Sequence, residues 1–328
     1  MKKILLITFR QDNSCIEMVS KAIKAKGGLP VRFNTDEYPG NSSLSVEFNN
    51  NQWRNILKIG ETKYDLDEFE ALWYRRIRIG SDIKEELEEK FIPPSVEESR
   101  RTFFGVLAAL DLFKLDSVET VKRAGHKQLQ LKIAERLGLK IPKTLITNDP
   151  ATVRGFYDSC PAGVITKMQA SFAIYENGVE NVVYTNLLNE DSFEGLEELR
   201  YCPMTFQESL QKKVELRITV IGNRVFSASI NSQKEAKAKD DWRKEGIAFM
   251  NQWQKFDLPS HIEKKLLALM DELKLNYGAI DMILTPDNEF YFLEVNPVGE
   301  FFWLEMNPGF PMSEAIADLL LGNAERRL

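Results

Sequence analysis

Two carboxylates and an amide stand at alternating positions in a stretch that is otherwise apolar. The sequence predicts a hairpin of strands Ala279–Leu284 and Glu289–Asn296, whose register places Asp281 opposite Glu294, with Asn296 two residues further on the same face. Buried like charges in close proximity repel unless a cation lies between them. Their oxygens are the donors that Mg²⁺ takes, usually together with substrate phosphates. The three side chains indicate a magnesium site; the alternative is that both carboxylates are exposed strand residues.

Cationic side chains that could accompany a bound phosphate occur in two other places. Lys127 begins a predicted helix and Lys167 lies at the end of an apolar strand. An ammonium group at either position can neutralise phosphate oxygens as a point charge, although each lysine taken alone is more typical of a protein surface. The segment Thr205–Leu210 is a strand that runs into a polar linker. Its backbone groups could bind an adenine, or it could be a plain edge strand.

A further strand carries charges on one face only. Alternation over Val214–Val220 places Glu215 and Arg217 on the polar face and the aliphatic side chains on the core face. Glu215 could contact ribose hydroxyls and Arg217 a phosphate or acyl phosphate; the alternative is a cross-strand salt bridge on a wet sheet face. Arg243 follows in a charged loop, where it is a candidate second phosphate ligand or a solvated side chain.

The elements that must position these residues begin with an α/β pattern over the first ~115 residues. We predict strands at Ile4–Phe9, Leu29–Phe33 and Ala71–Arg76, with helices at Ser14–Lys26 and from Ser95 to about Leu112. No G-x-G-x-x-G and no P-loop motif occurs anywhere in the chain. The pattern therefore predicts a Rossmann-like sheet without its phosphate-binding fingerprint.

A second unit begins near Val118. We predict a helix from Lys127 to Leu137 that ends at Gly138, and a strand over Val164–Met168. A hairpin follows over residues 172–184, turned by Asn177-Gly178, which is a strong hairpin signal.

A third unit begins near Pro203 with strand Met204–Glu208, followed by a hairpin of Glu215–Val220 and Val225–Ile230 around Gly222-Asn223. The capping box Ser260–Glu263 predicts a helix start, and one apolar stripe of that helix comprises Ile262, Leu266, Leu269, Met270 and Leu273. In the last hairpin, a four-residue loop would pair Thr285 with Phe290 and set the register used above.

Composition excludes several classes of protein. The 328 residues include 43 Lys and Arg and 49 Asp and Glu, so the formal charge of -6 gives no footprint for a nucleic-acid partner. No apolar run is long enough for a membrane span. Three cysteines without a C-x-x-C pair indicate neither a disulfide framework nor a zinc site, and they fit a cytoplasmic location. Phe103, Phe104 and Phe113, predicted to lie on one helix, indicate a core or a homodimer interface, of which the core is favoured.

Taken in order, these segments resemble the ATP-grasp ligases, and within them the microviridin-type (graspetide) macrocyclases, closer to the ester-forming branch than to the amide-forming branch. The resemblance covers nearly the whole chain and is carried by 73–76, 126–131, 137–142, 164–168, 202–208, 215–219, 241–246, 276–282 and 292–303. Each motif alone is weak, whereas their order and spacing together are specific.

The resemblance implies an α/β, ATP-grasp fold with an N-terminal Rossmann-like (pre-ATP-grasp) domain at 1–117, a central lid domain at 118–202 and a C-terminal mixed-sheet domain at 203–328. ATP would lie between the last two, and Mg²⁺ would be the second cofactor. The implied roles are phosphate contacts for Lys127 and Lys167, an adenine hinge for Gln207, Glu208 and Ser209, a ribose contact for Glu215, metal ligation for Asp281, Glu294 and Asn296, and charge stabilisation for Arg217 and Arg243.

The implied partner is a ribosomal precursor peptide with a leader and a core rich in Thr or Ser and in Asp or Glu. Its leader would dock near the predicted hairpin at 172–184, on Tyr175, Glu190 and Asp191. The implied reaction activates Asp or Glu side chains as acyl phosphates and joins them to Thr or Ser hydroxyls as ω-esters. The alternatives are an amide-forming ligase, which makes a lactam to Lys or adds an amino acid as glutathione synthetase does, and a non-catalytic module that binds a peptide or a nucleotide.

Overall fold

The computed structural model describes residues 1–12, 14–81, 83, 87–169, 173–176, 179–182, 185–231 and 251–327. For residues 173–176 and 179–182 it describes the backbone. The predictions for Arg243, for the Asn177-Gly178 turn and for the side chain of Tyr175 lie outside the described residues.

A parallel sheet with helices packed against it forms the first part of the chain, as the α/β pattern predicts. Its elements are, in chain order, β1 (Lys3–Thr8), α1 (Ser14–Ala25), β2 (Leu29–Asn34), β3 (Ser42–Asn49), β4 (Gln52–Ile59), β5 (Thr62–Asp65), β6 (Phe69–Tyr74), α2 (Ile92–Ala109) and β7 (Phe113–Leu115). The parallel order is β2-β1-β6-β7. Residues Ile4–Ile7 are fully buried, which explains why β1 is a continuous apolar run rather than an alternating one.

Two details of this region differ from the predictions. Helix α2 begins at Ile92 rather than Ser95, because Pro93 and Pro94 occupy its first turn, where a missing N–H costs nothing. Phe113 lies in β7 and not in the preceding helix. Phe103 is buried and contacts Phe104, and Phe113 packs against a second core cluster, which confirms that these rings belong to the core.

The three-stranded antiparallel sheet β3-β4-β5 was not predicted. Its first turn consists of Asn50 and Asn51, both with positive φ (50° and 61°), and this backbone twist suits a tight hairpin. The sequence feature that marks this hairpin is therefore an Asn-Asn pair between two polar strands. The alternation of these strands is weak because most side chains of β3 are exposed.

The middle of the chain forms a second sheet. Its elements are α3 (Val118–Ala124), α4 (Lys127–Arg136), β8 (Thr144–Thr147), α5 (Pro150–Asp158), β9 (Val164–Lys167), β10 (Ala173–Glu176), β11 (Val179–Val182), β12 (Asn186–Leu187) and β13 (Met204–Glu208). The order is β12-β9-β13-β8, with β10 and β11 paired separately as the predicted hairpin. Strand β13 therefore pairs within this sheet, although the sequence analysis assigned it to the third unit.

An antiparallel sheet of five strands carries most of the candidate site residues. The remaining elements are β14 (Val214–Ile221), β15 (Arg224–Ile230), β16 (Gln254–Lys255), α6 (Ser260–Leu273), β17 (Tyr277–Leu284), β18 (Phe290–Asn296), α7 (Phe302–Met306) and α8 (Met312–Leu320). The sheet order is β16-β15-β14-β17-β18, and β14 and β15 meet at Gly222-Asn223 as predicted.

Helix α6 buries the predicted stripe of five apolar side chains, but the predicted capping box is wrong. The helix begins one residue earlier than a Ser260 N-cap requires. The carbonyl of Pro259 already accepts hydrogen bonds from the amides of Ile262 and Glu263, at 2.9 and 3.0 Å, and no side chain caps the helix.

One hydrophobic core joins the first and last parts of the chain. Helix α8 packs on α1, and the cluster that they share includes Ile4 and Trp73 of the parallel sheet and Phe301 next to α7. The carboxyl ends of β1 and β6 are thereby held close to the loop that follows β18. Within the part of the chain that the structure describes, no helix combines the length and the apolarity needed to cross a bilayer. All three cysteines are free thiols.

Asp116, directly after β7, ties the parallel sheet to the start of β17. Its buried carboxylate accepts hydrogen bonds from the backbone amides of Asn276 and Tyr277 and from the side chain of Asn276, at 2.9–3.1 Å. Burial raises the pKa of Asp116 to about 6, although these hydrogen bonds act in the opposite direction. The native state therefore binds a proton at this carboxyl at pH values where the unfolded chain has released it.

We expect the free energy of unfolding to fall as the pH rises from about 4 to about 6 through this one group, because protons then favour the native state. A shift of about two units corresponds to about 3 kcal/mol. Urea unfolding of the wild type and of Asp116→Asn across this pH range isolates the contribution. The wild type should lose stability relative to the variant as the pH rises; a difference that stays constant with pH would contradict the prediction.

Candidate functional site

The β17–β18 hairpin brings the predicted trio together. Asp281 pairs with Glu294 and Ala279 pairs with Asn296, so the three side chains lie on one face, as predicted. The route to that register differs from the prediction. Leu284, not Thr285, pairs with Phe290, and a bulge between Asp281 and Met282 leaves Leu293 as the extra residue that restores the predicted pair.

Glu294 is surrounded by positive charge. Its Oε2 lies 2.7 Å from the Nζ of Lys127 in α4. Burial alone would raise the pKa of Glu294, but the charges of Lys127, Lys167 and Arg217 more than offset it and hold the pKa at about 2. The carboxylate is therefore ionised at neutral pH. Lys167, at the end of β9, thus adds to the positive charge that acts on Glu294.

Asp281 has a counterion of its own. Arg217 lies opposite Asp281 in the β14–β17 pairing, and its Nη1 is 2.8 and 2.9 Å from the two carboxylate oxygens. Arg217 is buried, with its guanidinium 5.7 Å from the centre of the Trp303 ring. Burial would lower the pKa of Arg217, yet the charge of Asp281 raises it above its ordinary value. Because Asp281 is about one-third exposed, at 31% of its side-chain surface, this pair faces the open side of the site.

Gln130, for which no role was predicted, holds the helix that carries Lys127 in place. The amide of its buried side chain donates to the carbonyls of Ala124 and Val295, at 2.6 and 2.8 Å, and its oxygen accepts from the amide of Val295 at 3.0 Å. Lys127 lies one helical turn before Gln130, so this clamp holds α4 against β18 beside Glu294. The sequence offered one indication of this role: Gln130 is a polar residue on the buried face of α4, together with Leu131, Ile133 and Ala134.

The loop after β18 closes the site from the other side, and its glycine was also missed. A Cβ at Gly299 would lie 2.5 Å from the Cβ of Ala279 and 2.9 Å from Nη2 of Arg217. The hydroxyl of Tyr277 donates to the carbonyl of Gly299 at 2.7 Å, and Nη2 of Arg217 donates to the carbonyl of Glu300 at 3.4 Å. A larger side chain at position 299 would therefore displace Arg217.

The residues predicted to contact the nucleotide lie where the chain passes from β13 of the second sheet to β14 of the five-stranded sheet. Gln207 is buried and donates to Thr144 at 2.9 Å, while its own Oε1 is buried without a hydrogen-bond partner among the described residues. The side chain of Glu208 accepts from the amide of Lys143 at 2.9 Å, and the amide of Ser209 donates to the carbonyl of Gly163 at 2.9 Å. These contacts fix the segment that joins β13 to β14.

Glu215 lies two residues before Arg217 on β14, and its carboxylate is 3.0 Å from the Nζ of Lys212. Both side chains are mostly buried. An open groove of about 480 Å³ lies beside α4 and the chain that leads into β8. Its described lining includes Gln128, Leu131 and Thr144 but none of the predicted site residues. The groove nevertheless adjoins the predicted contacts, since Gln128 follows Lys127 and the hydroxyl of Thr144 accepts a hydrogen bond from Gln207.

The predicted leader-binding residues lie in the β10–β11 hairpin and in the connection between β12 and β13. Glu190 and Asp191 are exposed in a short turn, and Glu190 pairs with Arg154 at 3.0 Å. The guanidinium of Arg154 lies 3.8 Å from the centre of the Phe193 ring. For Tyr175 the structure describes its backbone pairing with Glu180 in the β10–β11 hairpin.

The oxygen atoms of the trio suit a hard divalent cation. Glu294 and Asp281 are each about one-third exposed, and Oδ1 of Asn296 accepts from the amide of Val298 at 3.0 Å, which leaves it a second lone pair. Among the described residues, no group of three or more His, Cys, Asp and Glu side chains could hold a metal. A metal site here therefore depends on the asparagine as the third donor.

Comparison with known proteins supports the ligase interpretation of this geometry. A family model described as the MvdD pre-ATP grasp domain matches residues 3–122. A RiPP-associated ATP-grasp ligase of Chryseobacterium gregarium, solved in complex with ADP and with a leader and core peptide, is 46% identical, with a TM-score of 0.95. The alignment covers 100% of this chain and 98% of that one.

Two macrocyclases of Microcystis aeruginosa MRC are similar over the same length. MdnC, bound with the precursor peptide MdnA, is 43% identical with a TM-score of 0.88, and the match covers 98% of this chain and 99% of MdnC. MdnB is 33% identical with a TM-score of 0.82, again over 98% of this chain and 99% of the other. None of the curated proteins compared with the sequence matches it significantly.

Proposed function

Because this chain belongs to the family of RiPP-associated ATP-grasp ligases that includes the macrocyclases MdnC and MdnB, we propose that it closes ω-ester rings in a ribosomal precursor peptide. The chain is an ATP-grasp ligase and has the ATP-grasp fold. The proposed substrate has a leader and a core with Asp or Glu and with Thr or Ser side chains. The observation that carries the proposal is the convergence of Lys127, Lys167 and Arg217 on the carboxylates of Glu294 and Asp281.

These charges fit ATP and Mg²⁺ as cofactors. We assign Asp281, Glu294 and Asn296 as the ligands of Mg²⁺, which when bound would neutralise phosphate charge. Lys127 and Arg217 are the counterions of Glu294 and Asp281. Lys127 and Lys167 would contact the phosphate oxygens. The linker at Gln207, Glu208 and Ser209 would bind the adenine through its backbone groups.

The ring-forming chemistry requires an activated carboxylate and a dry, cationic site. An Asp or Glu side chain of the peptide takes the γ-phosphoryl group to form an acyl phosphate, with ADP as the leaving group. A Thr or Ser hydroxyl of the same peptide then attacks the acyl carbon. The hydroxyl group loses its proton, the ester bond forms, and inorganic phosphate leaves. We assign Arg217 to the stabilisation of the oxyanion, because its buried guanidinium is held in place by Asp281 and lies next to Trp303. Arg243 is proposed to assist it.

The leader would bind on the second sheet. Glu190 and Asp191 offer exposed carboxylates to a basic leader side chain, which would compete with Arg154 for Glu190. The backbone of the β10–β11 hairpin, with Tyr175, lies in the same part of the chain.

Mass spectrometry of the precursor peptide tests the proposal. With the purified protein, ATP and Mg²⁺, each ring should reduce the peptide mass by one water, and one ADP should form per ring. Mild alkaline hydrolysis should restore the mass, because esters hydrolyse under conditions that leave amides intact. Alkali-stable dehydration would identify an amide-forming enzyme. A gain of one amino-acid mass, or binding without any ATP turnover, would contradict macrocyclisation.

A further inference from the structure

A row of arginines follows the carboxyl ends of two adjacent parallel strands. Arg10 comes two residues after β1, and Arg75, Arg76 and Arg78 follow β6. Ligands of open α/β sheets bind at this edge, outside the carboxyl ends of the strands. The reaction proposed above assigns no role to any of these four residues.

Arg75 anchors the segment. Its Nε lies 2.9 Å from Oδ2 of Asp12, and both side chains are almost entirely buried, at 1% and 0% exposed. The amide of Arg75 also continues the sheet by donating to the carbonyl of Ile7 at 3.2 Å. Exposure then increases along the chain, since Arg75 is buried, Arg76 and Ile77 are partly exposed and Arg78 is exposed. The buried pair thus presents the two following arginines at the surface.

Arg76 reaches the candidate site. Its Nη2 lies 2.6 Å from Oε1 of Glu300, and the main-chain carbonyl of Glu300 accepts from Nη2 of Arg217 at 3.4 Å. A single residue therefore separates Arg76 from the Arg217–Asp281 pair. The Arg76–Glu300 pair is partly exposed, at 39% and 30% of the two side chains, so a second carboxylate could replace Glu300 without being desolvated completely.

Arg78 differs from its neighbours because it has no carboxylate partner among the described residues. Its guanidinium lies over the ring of Phe9, 4.2 Å from the centre, and its amide donates to Oγ1 of Thr35 at 3.0 Å. Arg10, in contrast, is paired with Asp36 at 2.9 Å. Stacking on an aromatic ring restrains the guanidinium while leaving its N–H groups free for a bidentate contact with an anion.

We propose that Arg76 and Arg78 bind acidic side chains of the peptide's core where the core leaves the reaction centre. The inference rests on the proposed function, because it assumes a peptide substrate rich in Asp or Glu. Residues two apart are separated by at most about 7 Å, which is also the spacing of alternate side chains in an extended peptide. The pair is thus suited to an extended core with acidic residues at alternate positions. Glu300 gives up Arg76 to the incoming carboxylate.

The test compares Arg78→Gln with Arg101→Gln, an equally conservative change at an exposed arginine of α2 that pairs with Glu97. At low ionic strength Arg78→Gln should raise the KM for the precursor about tenfold, the effect of one charged hydrogen bond, with kcat within about twofold. The difference should shrink at high salt because screening weakens surface charge contacts. The affinity for ADP and for an isolated leader peptide should not change, and Arg101→Gln should match the wild type in every measurement.

Binding of a labelled acidic core peptide, followed by fluorescence anisotropy, tests the surface independently of turnover. Arg78→Gln should weaken this binding about tenfold as well, and Arg76→Gln should act in the same direction. An unchanged KM and unchanged core binding would overturn the inference. A loss of ADP affinity would assign the arginines to the nucleotide and overturn it too. A wild type that binds the core but forms no ring would instead count against the proposed function.

Discussion

Glu294→Gln should reduce ATP-dependent ring formation by on the order of a thousandfold, the typical effect of removing one charge that stabilises a phosphoryl-transfer site. Glutamine keeps the shape of the side chain and one oxygen donor but loses the charge that Lys127 and Lys167 surround. The cation is then held more weakly, and Lys127 loses the charge of its partner carboxylate. Dehydration of the precursor and release of ADP, measured together, should fall in parallel.

Glu289→Gln provides the matched control for this change. Glu289 lies just before β18, pairs with Lys140 and is 45% exposed, so it is a glutamate–lysine pair next to the same strand but outside the site. The rate of ring formation by Glu289→Gln should stay within about twofold of the wild-type rate, because surface ion pairs contribute little to stability. Asp281→Asn should resemble Glu294→Gln. Wild-type rates in both site variants, with intact melting temperatures, would show that the metal assignment is wrong.

The side-chain alternation of the strands was the part of the site that could be predicted from sequence. Because side chains alternate along a strand, residues two apart must share a face. Asp281, Glu294 and Asn296 were therefore predicted correctly to lie together, even though the predicted turn was wrong by one residue. A bulge compensated for that error, and bulges have no reliable local signal. The pairing of Arg217 with Asp281 depends on β14 lying beside β17, which a single sequence does not show.

Long-range contacts explain most of what was missed. Gln130 contacts Val295, 165 positions away, and Arg76 contacts Glu300, 224 positions away, so neither partner can be inferred from local pattern. The sheet β3-β4-β5 was missed because most side chains of β3 face solvent and the apolar periodicity that marks a strand is therefore weak. The ends of strand β13 were predicted correctly, but its sheet was not, because its partners β8 and β9 are distant in the sequence.

Arg217→Lys should lower kcat by on the order of a hundredfold while the affinity for ADP changes little. Lysine keeps the positive charge but lacks the planar fork with which Arg217 contacts both Asp281 and the carbonyl of Glu300. The remaining ammonium cannot reach Asp281 and a developing oxyanion in the same geometry. Single-turnover measurements of ring closure, together with ADP binding by calorimetry, separate this effect from a loss of nucleotide affinity.

The neighbouring strand offers a control of the same chemistry. Arg224 of β15 pairs with Asp318 at 3.0 Å, in a similar arginine–aspartate contact remote from the carboxylate trio. Arg224→Lys should leave kcat within about twofold, whereas Arg217→Lys should also destabilise the fold by about 1–2 kcal/mol, since Arg217 is buried but Asp281 remains partly solvated. If both variants lost stability equally and both retained kcat, Arg217 would be a structural residue. A selective loss of kcat at Arg217 would place its guanidinium at the reacting carbonyl.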